Sequence, residues 1–591
     1  MSRKNRTRTI QKTTPQPVHR ALAGPAVILL AAFIAVWPLM QRGPSCGADF
    51  AFHFVSWTDA QGSMAHGIPY PHWAASPNFG AGEPRFVFYP PLTWMIGAFL
   101  GVFVPWAKVS IALAFLLFAG TGFAHRALAR EILADGPAVL AGCASIFLGN
   151  LLLDTYMRSD YAELAGGVWI PLLLLFLLRK EPPASANFAR FLFGVAPLSA
   201  IIAGIWLTNG PLGIMSGYLL VGVVAVSSAV QKTWTPAIRA GLSLALGLGL
   251  ASVYLLPAVW ERGWVNLHAA VSQREYLVEN GWLFHRHADP TWMLYDTTLD
   301  LHSWLAVFML LMTAICMLIA WGRGAITARP AWWIPLALIP PAVLLLQLPI
   351  SAPLWKSLPA LQWLQFPWRW LVVMIPSLAI AFAAAVWVRP LRGRLPILAA
   401  CTLAFIFISG GIWGVCYRDC GDLEAALQSA VQQHGTWGKP EYSPTGIRHP
   451  LVDRNAPKNC EVRSLAEIPD NPPHGTTPPA NAKCRGGFTQ SQNSPEHRVF
   501  SGTADHDGFL ILNLRSYPAW RITRNGLPIH PEIDPEYGLV AVPIQQGPVQ
   551  IVADWTTTSD VWAGRALTGL VSLLLILLCV KQRRRTTARL K

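Results

Sequence analysis

Charge is scarce in this chain. Lys, Arg, Asp and Glu make up 13% of its 591 residues, against 53% hydrophobic, where a soluble protein carries roughly a quarter charged residues. The deficit excludes an ordinary water-solvated globule and points to lipid as solvent. Nucleotide machinery is missing too. No GxxxxGK[ST] loop occurs and no GxGxxG opens a strand–turn–helix unit, so nothing argues for ATP or dinucleotide chemistry. There is no CxxC pair and no His-rich metal spacing; no metal site is assigned, and a divalent metal as cofactor is left open. The net charge of +15 does not form a nucleic-acid stripe. Basic residues gather at Arg3, Lys4, Arg6 and Arg8, in short loops, and in the tail Lys581 to Lys591, which is an orientation signal, so no nucleic-acid partner is expected.

What is abundant is apolar length. Runs near 22–40, 107–124, 136–153, 164–178, 191–207, 211–229, 239–257, 303–321, 331–348, 370–388, 395–414 and 561–580 each approach the ~20 residues a bilayer core requires. The 26 Trp suit its interfaces. No small-residue cleavage site follows the first run, which therefore reads as an uncleaved helix. With residues 1–21 and the tail 581–591 in the cytoplasm, the basic loops Arg126–Arg130, Arg179–Arg190, Lys232–Arg239, Arg323–Arg329 and Arg389–Arg394 all fall inside, as positive charge near short loops dictates. Segments 41–87, 154–163, 258–302, 349–369 and 415–560 then fall outside. Residues 88–104 are apolar enough to cross, but counting them inverts every later loop. They read as re-entrant or tilted, entering from outside behind Pro90 and Pro91.

The expected fold is a polytopic α-helical membrane protein of about 12–13 spans, with a membrane domain 22–414, an external domain 415–560 and a last span 561–580. Within the external domain, 450–497 is rich in Pro, Asn and Ser and reads as irregular loop. Alternating segments Phe509–Leu514, Trp520–Thr523, Leu539–Ile544 and Val549–Trp555 predict a small β-sandwich-like unit from about 498, and Arg524-Asn525-Gly526 predicts a tight hairpin. Cys143, Cys316, Cys401 and Cys579 fall in spans, whereas Cys46, Cys416, Cys420, Cys460 and Cys484 fall outside, where disulfides persist. Cys460–Cys484 is the preferred pair and Cys416–Cys420 the second, although spacing alone does not fix connectivity.

Three external groups have the residue types for chemistry. Asp49 opens a short helix after the first span, with His53 one turn later on the same face. Its carboxylate suits a general base toward a sugar hydroxyl, and equally suits an N-cap. Asp154, Arg158, Asp160 and Glu163 crowd one short loop; they line a polar cavity or merely solvate the headgroup layer. Arg369 ends Gln365-Phe-Pro-Trp368-Arg369, where a guanidinium among Trp residues suits a lipid-linked phosphate or a snorkelling anchor. Arg85 in the first loop and Glu261 in loop 258–302 complete the candidate substrate- and phosphate-binding set. His285 and His287 lack a third ligand for a metal.

Several stretches together resemble one bacterial family. They are the Asp49 loop, Phe86 to Leu92 (FxFYPPL), Tyr156 to Glu163, Tyr254 to Glu261, QFPWR, Glu441-Tyr442-Ser-Pro444, Tyr517-Pro-Ala-Trp520 and Gly538 to Pro543. The chain is similar to the membrane family labelled 6-pyruvoyl-tetrahydropterin-synthase-related, whose architecture resembles GT-C glycosyltransferases. The pterin label is not literal, since a soluble pterin synthase needs a metal-binding His set on a compact α/β fold. The resemblance implies a polyprenyl-phosphate sugar donor, an envelope glycan, lipid or protein acceptor, an inner-membrane location, and an activating role for Asp49. The family pattern has a His around Thr208 to Pro211, where this chain has Asn209. The leading expectation is therefore a membrane glycosyltransferase. A transporter or flippase of lipid-linked saccharide is the alternative, although no internal repeat supports it; a non-catalytic envelope scaffold is the third.

Overall fold

The computed structural model describes residues 18–179, 188–326, 329–387, 391–433, 435–454, 456, 458–467 and 485–590. Among them, eight helices are long and apolar enough to cross a membrane, or up to eleven if three sharply bent pairs each count as one span. The expected twelve to thirteen is reached only by counting two shorter apolar helices, Pro91–Phe103 and Gly194–Thr208, as well. Proline and chain breaks explain the bends. Pro349 opens the second half of Pro330–Leu346 + Pro349–Ser357, which turns by 89°, and Thr235–Leu250 + Ser252–Trp264 turns by 76°.

Burial separates the helices into layers. Pro367–Val386 is 89% buried and Tyr161–Leu178 78%, whereas Leu395–Cys416 and Ser559–Val580 are only 11% buried. A helix that is apolar all round either sits at the centre or faces lipid, and both kinds occur here. Residues 91–103 form a helix behind Pro90 and Pro91 that rises only about 20 Å, short of a ~30 Å core. Gly97 lies against the indole of Trp57, so this helix packs on Phe50–Ala65.

The C-terminal β unit is a sandwich of two five-stranded antiparallel sheets. One runs in the order Arg485–Gly486, Cys460–Val462, Gly508–Arg515, Leu539–Ile544, Glu532–Ile533. The other runs Thr489–Ser494, His497–Ala504, Gly547–Trp555, Trp520–Arg524, Leu527–Ile529. Leu510, Leu512, Val540, Val542 and Ile551 fill the space between them. The Asn525-Gly526 hairpin has φ of 50° and 83°, the mirror-image turn that matches strand twist. Strand structure begins earlier than about 498. Cys460–Val462 pairs with Gly508–Arg515, a non-local partner that gives a short segment no alternation to read.

The sandwich is seated on the segment that follows the helix Phe50–Ala65. Trp73 packs with Tyr517, Trp520 and Trp555. Arg515 donates to Asn78 Oδ1 at 2.9 Å, and Arg498 to the Gly80 carbonyl at 2.8 Å.

A disulfide joins Cys46 to Cys420, with Cα atoms 5.0 Å apart. This corrects the second expected pair: Cys416 is a buried free thiol, because it ends the helix Leu391–Cys416 while Cys420 has turned toward the first loop. Cys460 is disulfide-bonded; Cys484, its expected partner, lies outside the described residues.

Candidate functional site

Asp49 holds the N-cap position of the helix Phe50–Ala65, yet its side chain makes no capping bond. Its backbone N–H donates to the Arg158 carbonyl at 2.9 Å. The carboxylate turns instead to Arg158, with Oδ2 3.4 Å from Nη2. The loop comes this close because residue 47 is glycine: a Cβ there would stand 2.5 Å from the Arg158 carbonyl carbon. Ser159 Oγ bridges the two segments, accepting from Gly47 N at 3.0 Å and donating to the Ser45 carbonyl at 2.6 Å.

The opposing segment is wound unusually. Asp154–Arg158 forms a π-helical turn and Ser159 follows with φ of 57°; such turns are frequent at functional sites. One consequence is that four carboxylates surround a single guanidinium. Arg158 lies 2.6 Å from Glu163, 2.9 Å from Asp160, 3.4 Å from Asp49 and 3.5 Å from Asp154. Asp160 also caps the next turn, accepting from Glu163 N at 2.9 Å. Of the four acids, Asp49 is the accessible one: its side chain is 37% exposed, against 8% for Asp160, 2% for Glu163 and 1% for Asp154.

Two further candidates join this cluster. His53 Nε2 lies 3.6 Å from Asp160 Oδ1, and its Nδ1 lies 3.4 Å from the Tyr89 hydroxyl. Arg369 Nε stands 3.1 Å from Glu163 Oε2, close enough to pair though off the hydrogen-bond axis, while Nη1 donates to the Leu364 carbonyl at 3.1 Å. The QFPWR loop holds Arg369 in an aromatic sleeve. Phe366 stacks on Trp368 at 4.4 Å, Trp368 on His302 at 5.1 Å, and Arg369 lies 5.3 Å over Phe366. Gln365 enters that loop with φ of 62° and donates to the Ala270 carbonyl. Beyond the next residue, Trp370, an apolar groove of about 190 Å³ runs between helices, lined among others by Tyr218, Val223, Ile339 and Val373.

Arg85 and Glu261 stand elsewhere. Arg85 is buried, pairs with Glu83 at 2.7 Å, donates to Ser56 Oγ at 3.0 Å and lies 4.5 Å over Phe52. Its guanidinium is committed to this inner pair, so it is not open to a ligand phosphate. Glu261 accepts from the Tyr517 hydroxyl and from Thr558 Oγ1, joining the sandwich to the last helix. Asn209 caps Gly210–Gln231, accepting from Leu212 N at 2.8 Å, so the side chain in that family position has a local structural partner. His287 pairs with Asp296 at 2.6 Å. Among the described residues no three His, Cys, Asp or Glu side chains are disposed to hold a metal ion.

Glu83 escaped the reading of the sequence. Besides Arg85 it accepts from Asn78 Nδ2 at 3.2 Å and from Lys439 N at 3.0 Å, tying the first loop to a segment more than 350 positions away. No local signal marks such a partner.

The model of the 6-pyruvoyl-tetrahydropterin synthase related domain, described as a membrane protein, matches residues 86–415. The chain belongs to that family. The matched stretch runs from Phe86 in FxFYPPL through Arg158 and QFPWR, while Asp49 precedes it. No curated protein matches this family member in sequence. Among solved structures it is similar to ArnT from Cupriavidus metallidurans bound to undecaprenyl phosphate, at 16% identity and TM-score 0.36, over 66% of this chain and 64% of that one. The Archaeoglobus fulgidus oligosaccharyltransferase in the apo form is similar at 12% identity and TM-score 0.39, over 71% of this chain and 57% of that one. AglB from the same organism, with an inhibitory peptide and a dolichol-phosphate, is similar at 13% identity and TM-score 0.38, over 72% and 57%. The chain thus matches less than two thirds of the length of each of these proteins.

Proposed function

We propose that this protein is a membrane glycosyltransferase of GT-C type, moving a sugar from a polyprenyl-phosphate donor to an acceptor outside the bacterial inner membrane. The observation that carries the reading is the convergence of Asp49, His53, Arg158, Asp160, Glu163 and Arg369 on one site, with Asp49 as its exposed acid. In this reading Asp49 takes the proton of an acceptor hydroxyl. The freed oxygen attacks the anomeric carbon as the bond to the phosphate oxygen breaks, and the electron pair leaves on the phosphate.

In this reading the two arginines have different parts. Arg158 is committed to four carboxylates, so it positions Asp49 and has little donor capacity left for a ligand. Arg369 faces one carboxylate and is followed in the chain by Trp370, which lines the apolar groove. A phosphate at Arg369 with its isoprenoid tail in that groove satisfies both surfaces.

The test is transfer by purified protein from a radiolabelled polyprenyl-phosphate sugar. Asp49→Asn keeps the shape of the side chain and removes its basicity, so transfer should fall by about 100-fold or more with an unchanged melting temperature. Wild-type turnover in that variant would remove Asp49 from the mechanism.

A further inference from the structure

A second polar cavity, of about 370 Å³, opens where the helix Phe50–Ala65, the helix Leu423–Gln433 and the edge of the sandwich meet. It shares no residue with the Arg158 cluster. Asp59 on its floor is ten positions beyond Asp49, which is about 15 Å of helical rise. The side-chain amides of Gln432, Gln433, Gln490 and Asn513 line the wall together with His66 and several apolar residues. Gln432 and Gln433 each offer a donor and an acceptor in one plane, the pattern that meets neighbouring hydroxyl groups on a ring, while Gln490 Oε1 accepts from Asn459 and Asn513 donates to the Phe79 carbonyl.

Several details show a built cavity. Asp59 accepts from both the N–H and the hydroxyl of Ser76, at 3.1 and 2.9 Å, and both bonds fall on Oδ2. Its Oδ1 therefore retains acceptor capacity toward the cavity. Asn513 Oδ1 is shielded from solvent with no hydrogen-bond partner. The rim is fixed by backbone bonds, Phe79 N to the Thr436 carbonyl at 3.0 Å and Thr436 N to the Ser76 carbonyl at 2.8 Å. Gly435 lets these strands meet, since a Cβ there would stand 2.6 Å from the Ser76 oxygen. Trp437 lies against Phe79 at 4.8 Å and is 65% exposed at the edge, which offers a ring face for stacking.

Charge narrows the occupant. No Lys or Arg is among the described lining residues, where His66 alone can carry positive charge, and this disfavours an anionic headgroup or phosphate. A peptide anchored by apolar side chains would want deep apolar pockets, whereas the apolar residues here, among them Phe79 and Val431, are interleaved with amides and hydroxyls. The volume is at the small end of ligand sites, roughly 300–1,000 Å³.

We propose that this cavity binds a neutral saccharide. Naming that saccharide as the distal part of the acceptor glycan, held while its reacting end lies at Asp49, rests on the transferase reading; the binding itself does not.

The probes are neutral trisaccharides (maltotriose, cellotriose, mannotriose and chitotriose), followed by saturation-transfer NMR on the full chain in nanodiscs. Tri-galacturonate and an uncharged tetrapeptide serve as competitors. At least one neutral trisaccharide should bind the wild type, and Gln433→Ala should weaken it about tenfold. Gly62→Leu supplies a second variant. Gly62 lines the cavity with nothing within 4 Å of an added Cβ, so leucine fills the space, improves the helix and should abolish binding without lowering the melting temperature. Asp49→Asn should bind the trisaccharide as the wild type does, whatever it does to transfer; loss of binding there would place the saccharide at the wrong site. Absence of any neutral binder at millimolar concentration, binding that survives Gly62→Leu, or displacement by the tetrapeptide alone would each overturn the proposal.

Discussion

Gly47 lies against Arg158 so tightly that even a methyl group at position 47 would come within 2.5 Å of the Arg158 carbonyl carbon. This contact brings the Gly47 segment and the π-helical turn together as one surface, and it sets where the Asp49 carboxylate points. Gly47→Ala should therefore push the loop outward. A displacement of about 1 Å at a reacting group costs on the order of 100-fold in rate. Transfer should fall by that order while detergent-solubilised protein keeps its helical circular dichroism; unchanged turnover would show that the close approach is dispensable.

Arg158 and Arg369 should fail differently. Arg158→Ala leaves four carboxylates without their shared cation, and removing one partner of a buried ion pair typically costs about 3–5 kcal/mol. The melting temperature should drop sharply, and Arg158→Lys should recover little, because an ammonium cannot fork between several acids. Arg369→Gln should leave stability closer to wild type and raise the KM for the polyprenyl-phosphate donor by about tenfold or more. Thermal melts and initial rates on both variants separate the two roles.

The Cys46–Cys420 bridge closes a loop of 374 positions and anchors the chain just before Gly47. Disulfides typically contribute about 2–4 kcal/mol, through the unfolded state in the chain-entropy account. Cys46→Ser should lower the melting temperature and loosen the Asp49 loop, lowering transfer with it. Peptide mapping under non-reducing conditions should recover residues 46 and 420 in one cross-linked fragment; a 416–420 link would contradict the structure.

Asp59 provides a pH test. Burial, opposed by Arg85 and by the Ser76 hydrogen bonds, pushes its carboxyl up from 3.8 to about 6. A carboxyl raised on folding favours the native state while protonated, so its contribution is full below pH 4 and is lost as pH rises through 6. A shift of this size corresponds to about 3 kcal/mol at most. Asp59→Asn, which cannot ionise, should match the wild type in melting temperature near pH 3 and exceed it above pH 7. A constant difference across that range would mean that Asp59 ionises as freely folded as unfolded.

The helical framework was legible because lipid imposes one rule along the whole chain. Each of the twelve long apolar runs coincides with a helix or a bent pair of helices. The Asn525-Gly526 hairpin was equally plain, since its signal is contained in two residues. Reading failed where the partner is distant. Arg85 and Glu261 looked like Arg158 in sequence, charged residues beside apolar runs, and nothing local reveals that Glu83 takes one and that Tyr517 and Thr558 take the other.

By itself, then, the sequence determined a polytopic membrane protein with a β-rich C-terminal unit, because hydropathy and turn chemistry act over a few residues at a time. Tertiary structure decided which charges meet. The Cys46–Cys420 bond, the approach of Gly47 to Arg158, the pairing of Arg369 with Glu163 and the seating of Trp73 in the sandwich all join segments far apart in the chain. Whether a carboxylate is exposed, as Asp49 is, or buried, as Asp154 is, depends on what the rest of the molecule packs over it.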